Sequence, residues 1–219
     1  METVFLEARS KVKVKLPKAL LDKLPESIML FTTTQYLDSL SAVKAQLEKA
    51  GKKVLLKQLA KCKYKGQVLG CNIEEFKQKF DAFLYVGDGL FHPKTLMLKN
   101  KRPVFVYNPL SKNHFELEAK EVEGMKKRLK GAKLKFLSSK NIGVLISIKP
   151  GQNKMNQALK LKQKYKSKEF YFLLTDTISF TQLENFPFIE CFINTACPRI
   201  SFDDAEYISK PIINIEDIE

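Results

Sequence analysis

Short apolar runs alternate with amphipathic stretches along this chain of 219 residues. One such run is SIMLFTT at 27–33, and the stretch after it, at 35–50, places Leu37, Leu40, Val43 and Leu47 on one helical face. Apolar runs of about four to seven residues joined by helical segments are typical of βαβ units. The sequence therefore predicts an α/β fold built on parallel sheets.

The same alternation occurs twice, which predicts two similar domains. Each half contains about four predicted strands joined by crossover helices, and a segment rich in turn formers, NPLSKNH at 108–114, separates the halves. We predict an α/β domain at 1–115 and another at 116–219, each a roughly four-stranded parallel sheet flanked by helices. The predicted strands are 27–33, 53–56, 82–89, 103–109, 142–148, 169–176, 188–196 and 211–215. The predicted helices are 35–50, 66–80, 93–99, 116–130, 153–165 and 179–185.

Composition limits the classes of protein to consider. A hydrophobic fraction of 44% and an aromatic fraction of 11% are those of a globular protein. No apolar run approaches the roughly 18 to 20 residues that span a bilayer. The N-terminal METVFLEARSKVKVK has acidic residues and no apolar core, so it does not resemble a secretory signal. We therefore expect a cytoplasmic protein without a membrane partner.

The formal net charge of +14 has two interpretations. A basic surface attracts a polyanion or an acidic protein, whereas lysines interleaved with apolar residues at helical spacing can simply be solvated helix faces. No RNP-like aromatic motif or zinc-finger spacing accompanies the lysines. Nucleic-acid binding is accordingly the minor interpretation.

Candidate site residues follow the predicted strands, because ligands of open α/β sheets gather at the carboxyl ends of parallel strands. The stretches at these positions are TTTQ (32–35), GDGLFHP (87–93), KPGQ (149–152), LTDT (174–177) and ACPR (196–199). Each has a purely structural alternative. The Gly-Asp-Gly can be a tight turn, His92 a helix-start residue, Gln152 a turn residue, and Cys197 a small hydrophobic residue at a strand end.

The four cysteines are Cys62, Cys71, Cys191 and Cys197. They include no CxxC pair, which disfavours a structural zinc site or a thioredoxin-like motif. Cys71 and Cys197 each lie in a loop that borders the switch region of its own predicted domain. Two such thiols can converge only across a domain interface, and soft thiolates gathered in this way suit an iron–sulfur cluster.

Several sequence words resemble the archaeal diphthamide synthase family. They are GQVLGCN (66–72), YVGDGLFHP (85–93), KPGQ (149–152), NTACPRISFDD (194–204) and KPIINIED (210–217), and they occur in the family's order. This family is the 2-(3-amino-3-carboxypropyl)histidine synthase. The resemblance implies three similar α/β domains, each giving one cysteine to a [4Fe–4S] cluster with one iron open to S-adenosylmethionine. It also implies radical transfer of a 3-amino-3-carboxypropyl group to C2 of a histidine ring in elongation factor 2.

The resemblance also carries residue roles. Cys71 matches the cysteine of the family's second domain, and Cys197 matches that of its third domain, so both are expected cluster ligands. Five other residues fall in the matching words and are expected to contact S-adenosylmethionine: Asp88, His92, Gln152, Arg199 and Asp203. For the last two the reason is chemical, since arginine binds a carboxylate bidentately and aspartate accepts from an ammonium group.

The chain departs from the family because nothing in it matches the first domain and its cysteine. Three explanations stay open: a separate first-domain polypeptide, as in a split gene; a fragment or a non-catalytic partner subunit that supports a homologous synthase; or replacement of the missing ligand by Cys62 or Cys191. A two-domain nucleotide- or nucleic-acid-binding protein without a cluster is a weaker third function. The resemblance favours an oligomer, and a basic face would steer binding to elongation factor 2.

Overall fold

The computed structural model describes residues 4, 6–71 and 73–218. The chain divides into two compact units, Met1–Val122 and Glu123–Glu219, referred to below as the first and the second unit. The division falls inside a helix, seven residues after the predicted boundary at 115. No helix in the described ranges is both long enough and apolar enough to cross a membrane.

The first unit is built on a five-stranded sheet. Its strands are Ser27–Thr32 (β1), Lys53–Leu55 (β2), Ala82–Val86 (β3), Val104–Tyr107 (β4) and His114–Glu116 (β5), in the order β2-β1-β3-β4-β5. The first four strands are parallel, which confirms the predicted α/β fold. The sequence did not predict β5, which pairs antiparallel with β4. This edge strand has only three residues and no apolar run, so it carries no strand signal of its own.

Helices cover this sheet. They are Lys18–Lys23 (α1), Leu40–Lys49 (α2) and Phe91–Asn100 (α3), with a 3-10 helix at Thr34–Ser39. The predicted helix at 35–50 is therefore a 3-10 turn that continues into α2. The apolar face of α2 is buried at Leu40, Val43 and Leu47, and it packs against the sheet residues Ile28 and Leu84. This is the amphipathic pattern from which the helix was predicted.

The helix predicted at 66–80 is wrong for the residues that the structure describes, and Asn72 lies outside them. Phe76 and Phe80 have helical spacing, but they pack from an irregular segment onto Phe83 of β3, with ring centroids 5.5 and 4.8 Å away. The backbone finds its partners in distant side chains instead of in a helix. The Asn100 amide binds the Phe76 N–H and the Glu74 carbonyl, and Arg102 donates to the carbonyls of Gln78 and Phe80.

The second unit contains a four-stranded parallel sheet. Its strands are Asn141–Ser147 (β6), Glu169–Thr175 (β7), Cys191–Asn194 (β8) and Ile212–Asn214 (β9), in the order β7-β6-β8-β9. Its helices are Lys120–Ser138 (α4), Met155–Lys164 (α5), Phe180–Leu183 (α6) and Arg199–Phe202 (α7). The helix α4 starts in the last residues of the first unit. It extends past the predicted end at Lys130 because Ala132 and Phe136, beyond Gly131, are buried in the core of the second unit.

The parallel strands of both sheets follow the same order, in which the first strand lies between the second and the third. The second strand is added on one side of the first strand, and the third strand is added on the other side. Each sheet therefore has a topological switch point, which lies between β1 and β3 in the first unit and between β6 and β8 in the second. Loops at the carboxyl ends of these strands are where open α/β sheets bind ligands.

Candidate functional site

The carboxyl end of β1 holds the segment that leads to Cys71. Thr32 N–H donates to the Gly66 carbonyl at 2.8 Å, and Val68 N–H donates to the Thr32 carbonyl at 2.9 Å. Gly66 has φ +76°, a left-handed conformation that favours glycine, and a Cβ there would meet side-chain atoms of the core at 2.7 Å. This pairing fixes the start of the segment beside the switch point.

Cys71 itself is exposed. Its neighbour Gly70 packs on the ring of Phe91, the first residue of α3, so closely that a Cβ would lie 2.1 Å from Phe91 Cε1. The helix α3 follows β3 through the Gly-Asp-Gly stretch, so this contact places Cys71 at the same edge of the sheet as Asp88 and His92. The structure thus brings three of the predicted site residues together within the first unit.

The Gly-Asp-Gly stretch is a turn with its aspartate exposed. Gly89 has φ +73°, and the Gly87 N–H donates to the carbonyl of Tyr107 on β4. His92 lies in the first turn of α3 and stacks on the ring of Tyr85, 5.8 Å between centroids. The purely structural alternatives, a tight turn for Gly-Asp-Gly and a helix start for His92, therefore describe the local structure correctly. The side chains of Asp88 and His92 nevertheless both lie at the carboxyl edge of the sheet.

Sequence reasoning missed the hydroxyl groups around Asp88. The Tyr85 hydroxyl donates to the Asp88 carbonyl at 3.2 Å and lies 3.4 Å from Nδ1 of His92. Burial raises the pKa of Tyr85, and the negative charge of Asp88 raises it further, so the phenol stays protonated. Burial and Asp88 raise the pKa of Tyr36 in the same order. In the described part of the chain, the buried hydroxyl groups of Tyr36 and Thr33 have no hydrogen-bond partner.

In the second unit, Cys197 lies three residues beyond the end of β8, beside the second switch point. It is half-buried and lies two residues before α7, for which Pro198 is the N-terminal flanking residue. Arg199 Nε donates to Asp203 Oδ2 at 2.9 Å, four residues further on. The two residues predicted to hold a carboxylate and an ammonium group therefore form an ion pair with each other next to Cys197.

Gln152 lies at the carboxyl end of β6. Its N–H donates to the Lys149 carbonyl at 3.1 Å, and Gly151 has φ +78°, so Lys149 to Gln152 form a turn with Pro150 and Gly151 in the middle. The predicted turn is present, and the side chain of Gln152 is exposed at this edge.

The other two cysteines are buried. Cys191 is the first residue of β8 and has no exposed surface, and burial raises its pKa to about 12. Cys62 is also buried, with 7% of its surface exposed. Among the residues placed by the structure, no three His, Cys, Asp or Glu side chains are grouped to hold a metal ion. A thiolate ligand must be deprotonated and accessible, so Cys71 and Cys197 fit a metal cluster better than the buried pair.

The contact between Gly70 and Phe91 makes a specific prediction. Gly70→Ala forces a methyl group into the ring, and overpacking of this kind costs about 1–3 kcal/mol of stability. Gly131→Ala is the matched control, because nothing lies within 4 Å of its Cβ position and alanine suits a helix interior. Urea denaturation measures both. A Gly70→Ala protein as stable as the parent would contradict the close packing of Gly70 on Phe91.

Two doubly wound α/β sheets, each with an accessible cysteine at its carboxyl edge, define a protein that can present a cysteine side chain from each of its two units. The chain belongs to the family of diphthamide synthesis proteins, because the family's model matches it over residues 1–219.

Similar proteins carry this family's names. The chain is 30% identical over 226 residues to a 2-(3-amino-3-carboxypropyl)histidine synthase of Pyrococcus horikoshii, covering 99% of this chain and 64% of that protein. It is 34% identical over 194 residues to the synthase of Methanocaldococcus jannaschii, covering 82% and 56%. A crystal structure of Dph2 from Pyrococcus horikoshii with a 4Fe-4S cluster matches with a TM-score of 0.77 and 28% identity, covering 92% of this chain and 58% of that one. The chain thus spans less than two thirds of these relatives.

Proposed function

We propose that this chain is a component of a diphthamide synthase and supplies two of the cysteine ligands of its [4Fe–4S] cluster, Cys71 and Cys197. The observation that carries the proposal is that, in a chain of this family, these two thiols are accessible at the carboxyl edges while Cys62 and Cys191 are buried. We propose in addition that a third ligand comes from a first-domain polypeptide.

The bound cluster would supply the electron that cleaves S-adenosylmethionine. The overall reaction breaks the Cγ–S bond of S-adenosylmethionine and forms a C–C bond at C2 of a histidine ring in elongation factor 2. Methylthioadenosine and a proton leave, so atoms and charge balance. The task of this chain is to hold the cluster ligands, to bind the amino-acid moiety and to keep both in a fixed orientation.

The amino-acid moiety of S-adenosylmethionine is a zwitterion, and Arg199 and Asp203 offer it both charges side by side. On binding, the carboxylate of S-adenosylmethionine would replace Asp203 as the partner of the Arg199 guanidinium, and its ammonium group would replace Arg199 as the partner of the Asp203 carboxylate. Asp88, His92 and Gln152, at the carboxyl ends of β3 and β6, are the remaining proposed contacts with S-adenosylmethionine. The ion pair between Arg199 and Asp203 would thus be replaced by two ion pairs with S-adenosylmethionine, so that every charge keeps a partner.

A non-catalytic role as the partner of a homologous synthase is the second candidate. Both roles require a partner polypeptide. They differ in whether Cys71 and Cys197 are needed for the chemistry.

A transfer assay distinguishes these functions. The chain, a first-domain polypeptide and elongation factor 2 are incubated without oxygen with a reductant and carboxyl-labelled S-adenosylmethionine. We expect label on one histidine of elongation factor 2, located by peptide mass spectrometry, and none when either polypeptide is omitted. If a cluster-bearing complex transfers no label, the catalytic proposal fails. In a second assay, this chain or its Cys71→Ser, Cys197→Ser double variant is added to a full-length homologous synthase. An equal rise in the homologue's transfer activity with both would establish the partner role.

A further inference from the structure

Two buried asparagines end adjacent strands of the second sheet. Asn194 is the last residue of β8 and Asn214 the last of β9, and they are direct partners in the parallel register. Their exposed fractions are 1% and 2%. An amide placed in a sheet interior is costly unless its donors and acceptors are satisfied, so the partners of these two side chains explain why the fold keeps them.

Asn194 binds the loop that contains Cys197. Its Oδ1 accepts from the Ala196 N–H at 3.0 Å, and its Nδ2 donates to the Cys197 carbonyl at 2.8 Å and to Asn214 Oδ1 at 2.8 Å. The opposite amide orientation would turn a donor toward the Ala196 N–H and an acceptor toward two oxygens. The network therefore fixes the orientation of the side chain.

Asn214 extends the network to the residues after Cys197. Its Oδ1 also accepts from Ser201 Oγ, on α7, at 2.8 Å. Its Nδ2 lies 3.5 Å from the Pro198 carbonyl and donates to Asp217 Oδ2 at 3.2 Å. Contacts from the two asparagines thus reach the backbone of Cys197, of Ala196 before it and of Pro198 after it, and the side chain of Ser201.

These contacts hold a loop segment that belongs to no helix or strand. Residues 195–198 lie between the end of β8 and the start of α7. If the loop moved, the Asn194 donor would lose the Cys197 carbonyl while still buried in the sheet, which carries the desolvation penalty of an unsatisfied polar group. The buried amides of Asn194 and Asn214 therefore keep their hydrogen bonds only while the loop holds Cys197 in its observed position.

We propose that Asn194 and Asn214 are positioning residues that fix the backbone of Cys197 and, with it, the direction of its Cα–Cβ bond. This inference rests on the proposed function in one respect, namely that Cys197 is a cluster ligand. The two asparagines act through the backbone of the loop and are not ligands themselves. They keep the thiol in place before any cluster binds, which lowers the ordering cost of cluster assembly.

The first test measures the loop in the isolated full-length chain, without iron. In a Cys71→Ala background, the alkylation rate of Cys197 by iodoacetamide is followed by peptide mass spectrometry. Loss of a hydrogen bond that keeps the loop closed is expected to raise the rate roughly tenfold in Asn194→Ala and in Asn214→Ala. The buried Cys62 and Cys191 serve as internal reporters of global unfolding.

Thr195→Val is the matched control. Thr195 is buried in the same loop, but its hydroxyl donates to the Leu145 carbonyl at 2.8 Å and not to residues 196–198. We expect its Cys197 rate to stay within about twofold of the parent, because only one neutral hydrogen bond away from the cysteine is lost. Equal rates in the asparagine variants and the parent would overturn the inference. Acceleration that includes Cys62 and Cys191 would overturn it as well, since it would show general unfolding.

The second test separates positioning from stability in the reconstituted complex. Asn214→Ala is expected to lower iron occupancy and to alter the electron paramagnetic resonance spectrum of the reduced cluster, while Thr195→Val keeps the parent spectrum. A parent-like spectrum in Asn214→Ala at full occupancy would contradict the inference. If the parent complex takes up no cluster, the proposed function fails, and the alkylation rates alone decide whether the asparagines position Cys197.

Discussion

A complex built with Cys197→Ser is expected to bind no iron–sulfur cluster, and Cys71→Ser is expected to have the same effect. Serine keeps the size of the side chain but replaces the soft thiolate that such a cluster requires. Both positions are accessible, with Cys71 exposed and Cys197 half-buried, so the fold tolerates the change. Iron analysis and the visible absorption spectrum after anaerobic reconstitution measure the loss, with iron falling from about four atoms per cluster toward none.

The buried cysteines provide the control. Cys191→Ala removes a protonated thiol from the core of the second unit and costs about 1 kcal/mol of stability through a small cavity. Cys62→Ala is the equivalent change in the first unit. Both variants are expected to keep the full cluster spectrum. An intact cluster in Cys197→Ser, or a loss in Cys191→Ala as complete as in Cys197→Ser, would refute the assignment of the ligands.

Phe83→Ala is expected to have the largest effect on stability. Phe83 is fully buried in β3, and its ring contacts those of Phe31, Phe76 and Phe80, with centroids 6.2, 5.5 and 4.8 Å away. Removal of a buried aromatic ring costs about 3–5 kcal/mol. This loss also releases the irregular segment 73–80, which packs on the sheet through these rings.

The matched control for this variant is Phe115→Ala in the same unit. Phe115 lies on the edge strand β5 and is 39% exposed, so its loss costs well under the value for Phe83. Chemical denaturation followed by circular dichroism compares the two proteins. Proteolysis within 73–80 is expected to increase in Phe83→Ala only. Equal stability of both variants would show that the aromatic cluster does not hold this segment.

Much of the fold was predictable because its signals are local. The apolar runs of β1 and β6 are continuous and buried, so their length alone indicates strands of parallel sheets. The segment 66–80 was not predictable, because Phe76 and Phe80 have the spacing of a helix face. What prevents a helix is the pairing of its backbone with Asn100 and Arg102, which depends on tertiary structure.

The candidate site divides in the same way. The location of Cys71 and Cys197 at the carboxyl edges of the two sheets could be predicted from sequence words and from their position after apolar runs, whereas their role as ligands stays a prediction. The contacts of Tyr36 and Asn214 could not, since burial of a polar side chain depends on neighbours that are distant in the sequence. The sequence contains one indication of the Asn214 contacts. Asn194 ends the apolar strand CFIN, and Asn214 ends the apolar strand IIN, which is the next strand along the chain. Two such residues in neighbouring parallel strands favour a paired amide.

Anaerobic reconstitution of this chain, alone and with a first-domain polypeptide, shows whether the chain supplies its two cysteines to a shared cluster. The chain is proposed to supply two ligands of a three-cysteine site, so we expect a brown [4Fe–4S] absorption spectrum and about four irons per complex only when both polypeptides are present. Titration of one polypeptide into the other then gives an equimolar end point. A complete cluster on the chain alone, or no cluster with the first domain present, would contradict a three-cysteine site to which this chain gives two ligands.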